Sequence, residues 1–281
     1  MERFSLSLIE AGLNTYFVGK TGGNELWDTI ASTNDRAIEL AHAGAPEGVM
    51  VLARQQTGGR GRQGRSWVSP KDSGIYISFV LRPTIDTTML PLISFAGGVA
   101  AAEAIERVCG KRIGLKWVND LVFGGKKLGG ILSEMPGARI SAGEKKDGWI
   151  LPPAVILGLG LNLSLTDSDV AADLQGRIVG LDEIVGAPVN ANDLIAELCC
   201  TLEDQYNHLR HSASELVLAE WKRYSATLGQ RIRAKIGNDE VEGLAAGLAD
   251  DGALRLELDN GDERLLHAGE ISIRLEDGRY A

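Results

Sequence analysis

An α/β fold with a small all-β domain at its C-terminal end is what this 281-residue chain predicts, on three observations. Short apolar runs, Val49 to Ala53, Ile75 to Leu81 and Ala154 to Leu163, are interspersed with longer stretches of helical spacing. From about Leu228 onward proline disappears and apolar residues alternate with polar ones, as in Arg231-Ile232-Arg233-Ala234-Lys235-Ile236 and Leu254-Arg255-Leu256-Glu257-Leu258. Between the first two apolar runs lies Gln56 to Trp67, with four glycines, three arginines and no acid in a chain of formal net charge −9. Positive charge placed so locally, on a backbone free to turn, points to an anionic ligand.

Taken in order, the first 26 residues are a weakly patterned lead-in, and regular structure is expected to begin near Glu25. Leu26 to Ile30 reads as a strand, Ser32-Thr33-Asn34-Asp35 as a helix start, and Gly44 as its stop. Two strands, 49–53 and 75–81, flank the glycine-arginine loop. Leu92 to Val108 has apolar residues at helical spacing, many of them small, and stops at Gly110. Ile113 to Trp117 and Leu121 to Phe123 read as strands, with a Gly124-Gly125 hairpin turning into Lys126 to Glu134. Met135 to Gly148 is a polar connection, 154–163 a strongly apolar strand, and Ala191 to His208 and Ala213 to Tyr224 are helices. Asp251-Gly252 and Asn260-Gly261 are hairpin turns of about five short strands, too small a barrel to be stable undocked.

Composition excludes several classes. A pI near 5.1 argues against a general nucleic-acid or anionic-membrane binder. Cys109, Cys199 and Cys200 have neither zinc-site spacing nor the pattern of a disulfide framework, which fits a reducing cytoplasm. The N-terminal residues lack signal-peptide features, and no run of 18 apolar residues suggests a membrane span.

The candidate sites each have a plain reading beside a functional one. The loop carrying Gly58, Gly59, Gly61 and Gly64 with Arg60, Arg62 and Arg65 suits a phosphate ester, a solvated loop or an Arg-Gly RNA contact. It is neither a Walker A loop nor a dinucleotide fingerprint. Ser32-Thr33-Asn34 is a helix cap or a set of ligand contacts at a strand end. Lys127 beside the Gly-Gly turn is by itself an ordinary hairpin lysine, and Lys116-Trp117-Val118-Asn119-Asp120 is a turn with an amide and a carboxylate. Gly158 and Gly160 within Gly158-Leu159-Gly160-Leu161-Asn162 mark either a bulge or a close approach to the sheet. No Ser/His/Asp or Cys/His arrangement is present.

In sequence order, Ser32-Thr33-Asn34, Gln56 through Arg65 with Trp67, Lys116 to Asp120, Lys127-Leu128-Gly129-Gly130-Ile131-Leu132, Gly158 to Asn162 and Gly269-Glu270-Ile271-Ser272 resemble the biotin protein ligases. The resemblance implies a catalytic domain over 27–226, a mixed sheet flanked by helices and related to class II aminoacyl-tRNA synthetases. It also implies an SH3-like β-barrel over 227–281. The implied chemistry has two steps: ATP, with Mg²⁺, activates biotin as biotinyl-adenylate, and a lysine of a biotin carboxyl carrier protein then takes the acyl group. Neither a tightly bound prosthetic group nor a protein metal site is expected.

By motif position the resemblance assigns Ser32, Thr33, Asn34, Gln56, Gly59, Arg60 and Lys127 to biotin, with Gly158 and Gly160 letting its rings approach the sheet. It assigns Arg60, Arg62, Arg65, Trp67, Asn119, Lys127 and Asn162 to the nucleotide or adenylate, and Lys127, Arg62 and Asp120 to catalysis. Val118 stands where the family usually has proline and Gly129 where it has alanine, and the connection from Met135 to Pro153 is longer than usual. The lead-in is too short for the winged-helix domain of the family's repressors, so a cytoplasmic ligase without operator binding is expected. Family members occur as monomers and as dimers paired through sheet edges, and a homodimer is a further expectation.

Overall fold

The computed structural model describes residues 3–136, 145–146, 149–150, 154–165, 167–172, 174–236, 239–267 and 271–275. The helices are α1 (Leu6–Gly12), α2 (Thr33–His42), α3 (Leu92–Cys109), α4 (Leu181–Val185), α5 (Ala191–Arg210) and α6 (Ser214–Tyr224). In the N-terminal part the strands are β1 (Glu25–Trp27), β2 (Met50–Ala53), β3 (Gly74–Leu81), β4 (Gly114–Lys116), β5 (Asp120–Phe123) and β6 (Lys126–Glu134). A two-stranded ribbon, β7 (Lys145–Lys146) with β8 (Trp149–Ile150), precedes β9 (Val155–Asn162). The last five are β10 (Arg231–Ile236), β11 (Asp239–Leu248), β12 (Leu254–Glu257), β13 (Glu263–Leu266) and β14 (Ile271–Leu275).

The main sheet has the order β1-β2-β3-β9-β6-β5-β4, mixed because β1 runs parallel to β2 while every other pair is antiparallel. β3 is buried along its whole length, which is why it reads as a continuous apolar run rather than an alternating one. α3 packs on one face of the sheet, with Gly97 so close to Leu157 that a β-carbon there would sit 3.1 Å from it. α5 and α6 close the same core from outside, through Tyr206, Leu209, Val217 and Trp221. α2 lies on the opposite face, where Ala37 and Ala41 pack on Val49, Val51, Val80 and Ile156.

Helix ends follow the sequence signals: Ser32 caps α2, Gly44 follows it at φ 79°, and Gly110 closes α3 at φ 63°. The Gly124-Gly125 hairpin has both residues at positive φ, 58° and 74°, as a tight two-residue turn requires. The lead-in differs from expectation, because ordered structure begins well before Glu25. Ile9 of α1, with Phe4, Leu13 and Val18, is buried in the main core. The Glu203 carboxylate on α5 accepts from the backbone N–H groups of Tyr16, Phe17 and Val18 at 2.7, 2.8 and 2.9 Å. Seven residues with one buried apolar position carry too little periodicity to mark a helix in sequence.

The C-terminal strands form one antiparallel sheet in the order β13-β12-β11-β10-β14, with Gly252 and Gly261 at positive φ in the expected turns. It docks on the larger unit rather than standing apart. Ile232, Ala234, Leu254 and Leu256 belong to the same continuous core as the helices. Trp117 donates from its backbone N–H to Thr227 Oγ1 (2.9 Å) and from its indole to the Gly252 carbonyl (3.0 Å), and the Ala226 N–H donates to the Leu115 carbonyl (2.8 Å). No helix among the described residues is long and apolar enough to cross a membrane.

Candidate functional site

A cavity of about 260 Å³ opens on the α2 face of the sheet. Register explains why space exists there. Ser78, Gly158 and Leu132 form one row across β3, β9 and β6, and Tyr76, Gly160 and Gly130 form the next. Three of these six positions have no side chain. β9 pairs continuously on both edges, so Gly158 and Gly160 mark no bulge; the ladder's irregularity lies between β5 and β6, where it passes over Leu128.

Protein side chains already make the close approach. A β-carbon on Gly158 would lie 2.1 Å from Asn34 Oδ1, and one on Gly160 would lie 2.5 Å from Trp67 Nε1. The glycines therefore accommodate an amide and an indole of this chain, where the resemblance implied room for biotin's rings. Trp67 Nε1 is buried with no hydrogen-bond partner.

At the end of the cavity nearest α2, Ser32 acts as a cap, its Oγ accepting from the Asp35 N–H (3.4 Å). Gln56 Oε1 accepts from the Thr33 N–H (2.8 Å) and hydroxyl (3.1 Å), while its Nε2 donates to Ser69 Oγ (3.0 Å). Ser78 Oγ lies 2.8 Å from Thr33 Oγ1 and 2.5 Å from Asn34 Oδ1. The cap reading of Ser32 holds, and the cap places the polar groups of Ser32-Thr33-Asn34 on the cavity wall.

The glycine-arginine segment is a folded hairpin over the opening. Its base is fixed by Thr57 N–H to Ile30 O and Gly58 N–H to Ala31 O, and its limbs by Trp67 N–H to Gly59 O (2.9 Å) and Gly61 N–H to Arg65 O (2.7 Å). Gly59 is required by closeness, since a β-carbon would sit 2.5 Å from the Trp67 carbonyl. At the tip, Gln63 and Gly64 take positive φ, 58° and 70°. Arg62 reaches Asn119 Oδ1 (3.3 Å), and burial pulls its guanidinium pKa down. Arg65 donates to Gln63 Oε1 (2.9 Å). Arg60 pairs with Asp35 and with Glu134 (2.8 Å).

Opposite the loop, Lys127 Nζ donates to Asp120 Oδ1 at 2.6 Å and stands 5.3 Å from the centre of the Trp67 ring. Asn119 donates to the Ile131 carbonyl (2.7 Å) and receives the Ile131 N–H (2.9 Å), which fixes the turn that presents Asp120. The Trp117-Val118 peptide in that turn is cis. Asn162 is 3% exposed, and its amide reaches the Lys127 and Val179 carbonyls at 3.4 Å, bracing the lysine's backbone. All the residues that the resemblance assigns to biotin, the nucleotide or catalysis, except Gly59, line this cavity.

Lys116, which the sequence placed in a motif without a role, and Arg177 and Arg274, which it did not single out, also line it. With them, seven basic side chains line the cavity alongside Asp120, the one carboxylate among the described lining residues. Arg274 arrives on β14 of the barrel, a convergence that no linear spacing announces. Only Ile271 and Ser272 of the Gly269-Glu270-Ile271-Ser272 motif fall within the described residues.

Lys116 is 2% exposed, and burial, helped by Arg274, pulls its pKa down to about 7. An unfolded lysine titrates near pH 10.4, so between about pH 7 and 10 the folded chain holds fewer protons and stability rises with pH. The effect of this group is at most about 1.4 kcal/mol per pH unit. Lys116→Met is expected to remove that part of the rise, measured as the denaturant midpoint at pH 6.5 against pH 9.

Residues 26–143 match the Biotin/lipoate A/B protein ligase family, and residues 227–274 the Biotin protein ligase C terminal domain. The chain is 33% identical to the bifunctional ligase/repressor BirA of Bacillus spizizenii, covering 95% of this chain and 78% of that one. It is 30% identical to the biotin--[acetyl-CoA-carboxylase] ligase of Mycobacterium tuberculosis, covering 96% of this chain and 97% of that one. The Aquifex aeolicus biotin protein ligase, solved in complex with biotin and ATP, shares the fold at a TM-score of 0.76 and 24% identity, over 91% of this chain and all of that one.

Proposed function

From the premise that the chain belongs to the biotin protein ligase family and is a biotin protein ligase, we propose how its cavity runs the reaction. The observation that carries the reading is the Lys127–Asp120 pair set opposite Arg62 and Arg65 of the loop, with Asp120 the one carboxylate among the described lining residues. Such a site suits a reaction that builds negative charge on a phosphoryl group and then holds the product.

Biotin lies along the wall of Ser32, Thr33 and Gln56, its carboxylate toward Lys127. The carboxylate oxygen attacks the α-phosphorus of ATP, the bond to the bridging oxygen breaks, and pyrophosphate leaves. Lys127 offsets the charge gathering on the phosphoryl oxygens. Asp120 orients the Lys127 ammonium. We count Mg²⁺ with the nucleotide as part of the substrate, its ligands being phosphate oxygens and water. In the second half-reaction a neutral carrier lysine attacks the acyl carbon, AMP leaves, and the amine's proton passes to solvent or to Asp120. Arg62 and Arg65 close on the phosphate, keeping water from the mixed anhydride between the steps.

The acceptor we propose is the biotin carboxyl carrier protein of acetyl-CoA carboxylase, by likeness to relatives named for that reaction. Three free cysteines, Cys109, Cys199 and Cys200, suit the reducing cytoplasm in which we place the enzyme. The test is pyrophosphate release from ATP and Mg²⁺ with biotin or lipoate, followed by transfer to apo-carrier. Release with biotin and none above background with lipoate is expected; release with lipoate alone overturns the reading.

A further inference from the structure

The arginines of the loop are not alike. Arg60 donates to both carboxylate oxygens of Glu134, at 2.8 and 3.1 Å, and to Asp35 in the first turn of α2. Arg62 reaches the amide of Asn119 and feels the single carboxylate of Asp120, and Arg65 reaches the amide of Gln63, so neither has the two carboxylates directly bonded to Arg60. A guanidinium between two carboxylates carries a local net charge of −1, so a phosphate approaching it meets repulsion rather than attraction. The same Glu134 oxygen that takes Arg60 also accepts from Asn34 Nδ2 at 2.7 Å, and Asn34 sits in the space left by Gly158. One carboxylate at the end of β6 thereby ties the loop, the start of α2 and the cavity floor together.

We propose that Glu134, assisted by Asp35, is a positioning residue that anchors the first limb of the loop through Arg60, leaving Arg62 and Arg65 to carry the phosphate. Arg60 then serves as the pivot on which the tip from Gly61 to Gly64 closes. The proposal rests on the ligase reading for what the tip closes upon, while the anchor is seen directly in the bonds of Arg60 to Glu134 and Asp35. The Arg60 guanidinium fits this arrangement: burial lowers its pKa, and the bonds to Glu134 and Asp35 outweigh that and raise it.

The loop's arginines are themselves trypsin sites, so the anchor has a readout independent of activity. Nicking after Arg62 in the ligand-free, full-length protein tracks the fraction of time the tip is open. Glu134→Gln keeps an acceptor for Asn34 and removes the charge that holds Arg60. It is expected to raise nicking roughly threefold to tenfold, with Asp35→Asn acting in the same direction if the first variant folds poorly. In an Arg60→Gln background Glu134→Gln is expected to add nothing to the nicking. Nicking unchanged in both single variants, or an equal effect of Glu134→Gln with and without Arg60, overturns the proposal. Absence of biotin-dependent pyrophosphate release in the wild-type chain would overturn the ligase reading instead, and leaves the nicking result standing by itself.

Discussion

Lys127→Ala is expected to slow pyrophosphate release in a single turnover by roughly a hundredfold to a thousandfold. Two effects act together. The ammonium we place against the reacting phosphoryl group is lost, and Asp120 loses its partner at 2.6 Å where we place the substrates' anions. Lys127→Arg keeps the charge but places it on a wider planar group beside the Trp67 ring, and is expected to recover only part of the rate. Transfer from chemically made biotinyl-adenylate to the carrier should suffer less than adenylation, since its charge development lies at the acyl carbon. Near-normal pyrophosphate release from Lys127→Ala would remove the lysine from the role given to it.

Arg62→Gly acts on what happens after the first step. Burial already lowers the pKa of this guanidinium, so an anion beside it supplies charge compensation that water supplies poorly. A charge-assisted contact of that kind is worth about 1.5 to 3 kcal/mol, and its loss corresponds to faster release of the adenylate by roughly tenfold to a hundredfold. The new glycine also loosens the tip, where Gln63 and Gly64 hold left-handed backbone. Adenylation is expected to remain partly intact while biotinyl-adenylate escapes into solution, seen as label that no longer co-elutes with protein on gel filtration. Retention of a long-lived bound adenylate in this variant would count against the loop as a lid.

Local signals made most of the fold legible. β3 and β9 are apolar runs, Gly110 ends α3 where its backbone turns left-handed, and paired glycines turn β5 into β6. The order of the sheet was not legible, because β9 inserts between β3 and β6 by long-range pairing. The site follows the same division. The arginines and the glycines at 158 and 160 stand out because their residue types are unusual where they occur, whereas Lys127 reads as an ordinary hairpin lysine until the resemblance gives it a role. What fills those glycine positions does not stand out, since Asn34 and Trp67 meet them only through the strand register. Lys116 and Arg274 are likewise unremarkable as letters, one in a strand and one in an alternating barrel segment. Glu134 closes a strand, where solvent exposure would be the ordinary expectation.

Trp117 gives the barrel a different standing from its sequence patterning. Its backbone N–H and indole bind Thr227 and Gly252, while its chain neighbours Lys116, Asn119 and Asp120 line the cavity. The barrel is thus not a detachable module, and the change in patterning near residue 228 is not a line of physical independence. A grafted barrel would have to bring its own acceptors for the Trp117 indole and backbone N–H and a turn as close to Phe95 as Gly252 allows. Interchangeability between relatives is therefore limited by one tryptophan's two hydrogen bonds, at a place where neither sequence segment alone reveals a joint.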